Sequence, residues 1–254
     1  CFSVYTSTKM IFNTKLSTEE ITVVHGIRFL TMIWVIILHN IFFSLEYTDN
    51  KIQILRLDES LPIQMFSNAT VSVDTYFFLS GFLLAYTYLK NKIDKEQINL
   101  INYKEKLNEF FVRIMKRYIR YFYVAVVILS TILISSVILS GYISYIYEYV
   151  PTLDEQYRLL DVFYFPPWIR IGPYIIGMIT GYIIRRFNKK IVLKKNIVIL
   201  CWTLGAACNI LVLFGVYKTK ISVLSAAIYV ALSRTVWAIG IAWIVIMCYT
   251  EHGG

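Results

Sequence analysis

Six stretches of this chain are long and apolar enough to cross a bilayer: 27–45, 65–89, 121–141, 168–184, 196–217 and 222–249. A helical span needs about 20 largely apolar residues. In lipid every backbone N–H and C=O must be satisfied inside the protein, so long uninterrupted apolar runs demand helices. The expected fold class is therefore all-α, a polytopic transmembrane helix bundle with about six spans. Composition agrees: 57% of the residues are apolar and only 16% are charged, against about 25% charged in a soluble domain. The fourth stretch is short and glycine-rich, and the sixth is long enough to tilt.

The net charge of +9 would suggest a nucleic-acid partner in a soluble protein. Here its distribution argues for a membrane instead. Segment 90–120 holds nine basic residues against four acids, and segment 185–195 holds six basic residues and no acid. Segment 142–167 has Arg158 alone against Glu148, Asp154, Glu155 and Asp161, and segment 46–64 has two basic residues against four acids. Cytoplasmic loops concentrate Lys and Arg, which places 90–120 and 185–195 inside. With six spans, the tail 1–26 and the C-terminus are then cytoplasmic too. Asn68-Ala69-Thr70 matches an N-glycosylation acceptor at the non-cytoplasmic end of the second span.

The chain begins at Cys1, carries no signal peptide and ends at Gly254, as expected of a fragment: a tail over 1–26 followed by an incomplete membrane domain over 27–249. No linker divides the domain. Of the four cysteines, Cys201, Cys208 and Cys248 lie in apolar runs. No CxxC pair or Cys/His cluster has zinc spacing, so no metal is expected. Segment 90–120 reads either as an amphipathic helix on the inner membrane face or as a solvated basic loop held there by anionic lipid.

Few polar groups remain within the spans: Arg28, His39, Asp74, Arg170, Arg234, Asn40 and Asn209. A charge at the bilayer centre costs about 2.5–3.5 kcal/mol on the insertion scale, so such residues are functional candidates. Arg28 and His39 are eleven residues apart, which on a helix brings them within about 20° of one face and roughly 16 Å apart along the axis. His25 falls within about 40° of that face. A cation at the inner mouth and a titratable base deep in the span suit a ligand anchored by an anionic head. The plainer alternatives are a snorkelling Arg28 and a His39 that bonds a neighbouring helix. Asp74 orients an imidazole or pairs with Arg234. Ser80-Gly81 reads as a close-packing pair rather than a nucleophile, since no GxSxG elbow is present. Arg170, beside Trp168 and Pro167, reads as an interfacial anchor.

Four blocks, "HGIRFLTMIWVIILHN", "SVDTYFFLSGFLLAY", "PWIRIGPYIIGMITGY" and "ALSRTVWAIGIAWIV", together resemble the nose-resistant-to-fluoxetine branch of the acyltransferase-3 family of invertebrates. "CFSVYTSTKMIFNTKLS" resembles the stretch preceding the acyltransferase domain in that branch. The resemblance implies a multi-pass membrane protein that transfers an acyl group from acyl-CoA to a hydroxyl acceptor. It implies His39 as catalytic base with Arg28 on the same helix. Arg117 and Arg120 match the family's cytoplasmic Arg-rich motif, and Asp74, Ser80 and Gly81 match its second-helix block. The expected site is thus His39 and Asp74 for catalysis and Arg28, Arg117 and Arg120 for the phosphates of acyl-CoA. Membrane lipid, acyl-CoA and a small-molecule or lipid acceptor are the expected partners, and nucleic acid is not. Two departures stand out. "RYIR" passes directly to "YFYVAVVILS", where the family continues through "LTP" into further helices, and the chain ends at "EHGG". An internally shortened form is expected, with a non-catalytic lipid or small-molecule carrier, or an inactive form, as the alternative to an enzyme.

Overall fold

The computed structural model describes residues 8, 21–49, 65, 68, 70–100, 107–149, 155, 158–187, 195–216 and 222–250; within these, the side chains of 42, 45, 46, 91–100, 107–123, 125, 160 and 187 are left aside. The elements are all helices: α1 (Thr22–Tyr47), α2 (Thr70–Leu100), α3 (Leu107–Ile146), α4 (Leu160–Phe163), α5 (Pro167–Phe187), α6 (Lys195–Phe214) and α7 (Val223–Tyr249). Each of the six apolar stretches coincides with one of the six long helices. Among the described residues, α1, α3, α6 and α7 carry segments long and apolar enough to cross a membrane. The chain is a helical membrane protein.

The two long helices below that threshold are the innermost pair. α2 and α5 make the most extensive contact in the molecule, and burial against protein relieves them of the need to present apolar surface to lipid. They carry Asp74, Arg170 and several hydroxyls instead. α3 is a single helix of 40 residues, about 60 Å at 1.5 Å per residue, twice the hydrocarbon thickness. Segment 107–120 is its first third, so that part of the basic segment is helix rather than loop.

The α2–α5 seam brings backbone against backbone. A Cβ on Gly81 would fall on the Tyr174 carbonyl, and one on Gly177 on the Phe78 carbonyl; one on Gly181 would meet the Phe82 carbonyl at 2.6 Å. Small residues four apart permit such approaches between helices in lipid, where close packing replaces the hydrophobic drive. Both helices ascend in the same sense along the seam, Phe78 against Gly177 and Phe82 against Gly181. The expectation that Ser80-Gly81 serves packing is met at Gly81, while Ser80 is exposed. Phe78, Leu79 and Phe82 continue the core into Trp237, Ala238, Ile241 and Val245 of α7. α6 closes on α7 through glycine as well: Gly205 faces the Cβ of Trp243, and Gly240 faces the Asn209 amide. α1 lies at the edge, touching α2 and, less, α7.

Gly177→Leu should therefore force the seam apart and lower stability by about 3 kcal/mol or more, the upper range for overpacking. Gly26→Ala, where a Cβ meets nothing within 4 Å, should be neutral or slightly stabilising. Melting of the two variants in detergent, followed by size-exclusion chromatography, separates these outcomes; equal melting points would refute the seam.

Candidate functional site

Two places concentrate the chemistry. The first is the flank of α1. Its core-facing row is Val24, Ile27, Thr31 and Trp34, at the three-and-four spacing of a helix face. Trp34 packs on Trp237 with ring centroids 5.8 Å apart. Arg28 and His39 lie roughly 90° round the helix from that row, and both are exposed. The shared face expected from their spacing is present.

His39 Nδ1 donates to the Val35 carbonyl at 2.8 Å. A carbonyl only accepts, so this bond puts a proton on Nδ1; in the neutral imidazole the lone pair is then on Nε2, the form a general base needs. The ring packs near Phe43, centroids 5.9 Å apart. Around it lies a groove of about 360 Å³ lined by Val35, Ile36, His39, Asn40, Phe43, Ser44 and Tyr47, all from α1 itself. Among the described residues no other helix lines this groove. Arg117 and Arg120 fall on the first turns of α3, and their side chains lie outside the described set.

The second place is a buried ion network. Asp74 is fully buried, and its carboxylate accepts from two arginines. Arg170 Nη1 donates to Oδ1 at 2.7 Å, and Arg234 Nη1 donates to Oδ1 at 3.0 Å and Oδ2 at 2.8 Å. The short helix α4 supplies further acceptors at its C-terminal end: Arg170 Nε and Nη2 donate to the Tyr164 carbonyl at 3.1 and 3.0 Å, and Arg234 Nη2 to that of Phe163 at 2.9 Å. Arg170 also stacks over Tyr164, 4.3 Å from its centroid. Next to the network, Trp237 Nε1 donates to Thr75 Oγ1 at 3.0 Å. Of the two expected roles for Asp74, the geometry has the pairing with Arg234; the carboxylate makes no contact with His39.

Arg170 corrects the sequence reading. It is 4% exposed and ion-paired, so it is an interior residue and not an interfacial anchor. The flanking Trp168 and Pro167 are anchor-like, but the α2–α5 register turns Arg170 inward. The available signal was depth: Asp74 and Arg170 both stand a few residues inside the same end of their helices.

That end of the bundle also holds a small cavity of about 70 Å³, with Tyr149, Tyr229, Arg234 and Asn68 in its lining. Tyr149 is delivered by a helix stop. Glu148 takes the left-handed conformation, φ 48°, and the Tyr149 N–H reaches back to the Ser144 carbonyl at 3.0 Å, the pattern of a Schellman cap. The ring then stacks on Phe163, centroids 4.3 Å apart. Burial pushes the Tyr149 phenol well above its ordinary range, against a smaller lowering by Arg234. Asn68 is 7% exposed, and its Nδ2 donates to the Leu213 carbonyl at 2.7 Å. The atom a glycan would occupy is committed to the fold.

A helical membrane protein with a buried carboxylate–diarginine network and a histidine groove on an outlying helix is the class these features define. No family model matches the chain, and no solved structure matches it. Among curated proteins it is similar to Nose resistant to fluoxetine protein 6 of Caenorhabditis elegans, with 25% identity over 364 aligned residues that take in all of this chain and 44% of that protein. The chain thus spans less than half the length of this relative. The 364 aligned positions exceed the 254 residues here by 110, so that many positions of the alignment face no residue of this chain.

Asp74→Ala should leave two buried guanidinium groups without a counter-charge and lower stability by about 3–5 kcal/mol, read as a fall in melting temperature; a wild-type melt would exclude the network as an anchor. Endoglycosidase treatment of the protein expressed in eukaryotic cells should leave its mobility on a gel unchanged if Asn68 carries no glycan.

Proposed function

We propose that the chain is a multi-pass membrane protein of the acyltransferase type, using acyl-CoA as donor and a hydroxyl-bearing lipid or small molecule as acceptor. The observation that carries this reading is His39. Its Nδ1–H is tied to Val35, so in the neutral ring Nε2 is the basic nitrogen, and the residue lines a groove on the helix flank that also bears Arg28. The resemblance to the nose-resistant-to-fluoxetine branch points the same way, and the similarity to the Caenorhabditis elegans protein supports that branch.

In this reading α2 and α5 also cross the membrane, giving six spans with the basic segments 90–120 and 185–195 on the cytoplasmic side. Arg28, Arg117 and Arg120 hold the CoA phosphates there, a task suited to the planar guanidinium fork. The acyl thioester lies along α1 toward His39. His39 Nε2 removes the proton from the acceptor hydroxyl as its oxygen attacks the thioester carbonyl, and the CoA thiolate leaves, taking up a proton. Asp74 enters as a positioning residue through Arg170 and Arg234, holding the bundle against which α1 stands.

A second reading is favoured by one observation: among the described residues, the His39 groove is walled by α1 alone. Acyl transfer calls for exclusion of water from the reacting thioester, and the 110 surplus alignment positions are a natural source of the missing wall. Without it, the same polar flank suits a non-catalytic lipid or small-molecule carrier.

Purified protein incubated with radiolabelled acyl-CoA and a mixed pool of hydroxyl acceptors should release CoA thiol and form acyl ester, and His39→Ala should reduce the rate by about 10²-fold or more, the usual worth of a general base. Full transfer by His39→Ala would sink the mechanism. Saturable ligand uptake with no CoA release and no new ester would favour the carrier.

A further inference from the structure

Among the described residues, the buried ion network holds one positive charge more than it neutralises. Asp74 is the buried acid of the network, and it faces both Arg170 and Arg234. The surface acid that acts on Tyr149, Glu155, is already held by Arg158 at 2.7 Å. An unbalanced charge in a desolvated site is costly until something compensates it.

The two arginines are not equivalent. The Arg170 side chain is 5% exposed, and its Nε, Nη1 and Nη2 all donate to protein acceptors. The Arg234 side chain is 14% exposed, lines the 70 Å³ cavity and engages Nη1 and Nη2. Its Nε–H has no hydrogen-bond partner among the described residues. Tyr149 lines the same cavity and is 5% exposed. Its hydroxyl likewise has no hydrogen-bond partner among the described residues, whereas the Tyr229 hydroxyl donates to the Val212 carbonyl and the Asn68 amide to that of Leu213. Burial keeps the Tyr149 phenol protonated, so it is a donor. Two residues with an uncommitted donor among the described residues, one of them cationic, thus line a small space with Val71, Ile169 and Val230 as its apolar wall.

We propose that this vestibule binds the carboxylate of a small apolar acid, with Arg234 and the Tyr149 hydroxyl donating to its oxygens and its alkyl part against Val71, Ile169 and Val230. A single negative charge matches the surplus. The site is separate from the His39 groove, since the two share no lining residue.

Equilibrium dialysis of radiolabelled hexanoate against the full chain in detergent micelles tests this. Wild type should bind hexanoate saturably, acetate should compete, and hexanol at the same concentration should not. Arg234→Gln removes the surplus charge but keeps the Asp74–Arg170 pair, and should weaken binding at least about tenfold, the scale of one charged hydrogen bond. Tyr149→Phe leaves the ion network untouched and should weaken binding severalfold with an unchanged melting temperature, which keeps the test decisive if Arg234→Gln fails to fold. Hexanoate should bind more tightly than acetate, since only hexanoate has an alkyl chain to set against Val71, Ile169 and Val230; equal affinity would overturn the apolar part of the proposal. Absence of saturable binding, competition by hexanol equal to that by hexanoate, or unchanged binding in the folded Tyr149→Phe variant would overturn the proposal.

Discussion

The contact of α2 with α5, carbonyl against glycine, governs the rest of the structure. Gly177 sits on Phe78 and Gly181 on Phe82, and that register has no slack, because a shift of one residue would drive a side chain into a backbone. Four residues before Phe78 stands Asp74, and seven before Gly177 stands Arg170. The same seam that packs the interior thus brings the carboxylate to its guanidinium at 2.7 Å. Arg234 then joins from α7, and the carbonyls of Phe163 and Tyr164 close the network. The charges do not draw the helices together by themselves, since a buried ion pair offsets little more than its own desolvation. The close packing sets the distance, and the network penalises every other register.

The molecule separates two kinds of polar chemistry. Inside the bundle, the Asp74 carboxylate and most of the donors that face it are matched against each other. On α1, at the periphery, Arg28 and His39 sit on an open flank. A residue held within a packed network is poorly placed to change protonation or partner, whereas one on an exposed flank keeps a lone pair for an incoming group. This division explains why the fully buried Asp74 works for the fold, and why the candidate base lies on the most lightly packed of the long helices.

Much of this was legible in the sequence, because lipid imposes strict rules. Apolar run length gave all six long helices, and helical periodicity put Arg28 and His39 on one flank. The Asp74–Arg234 partnership was one of two readings, and Gly81 was read as a packing residue. Three things were legible only in part or not at all. Arg170 looked interfacial because Trp and Pro flank it, and only the inter-helix register, a non-local property, turns it inward. The continuation of α3 back through segment 107–120 was obscured by its many cations, which suit a loop and a helix equally. Tyr149 lies in no motif: its placement follows from the left-handed turn at Glu148, a conformation a glutamate rarely announces.

The C-terminal half of α1 has a consequence for how the protein is made. His39 donates to Val35, Asn40 to Ile36, Ser44 to Asn40 and Thr48 to Ser44, each one helical turn back along the chain. Polar side chains that would otherwise resist partition into hydrocarbon are folded onto carbonyls of their own segment. The segment therefore meets the bilayer with much of its polarity internally discharged, and it needs no partner helix to shelter it as it leaves the insertion machinery. A helix able to wait alone in lipid can dock late, and that matches its position at the edge of the finished bundle.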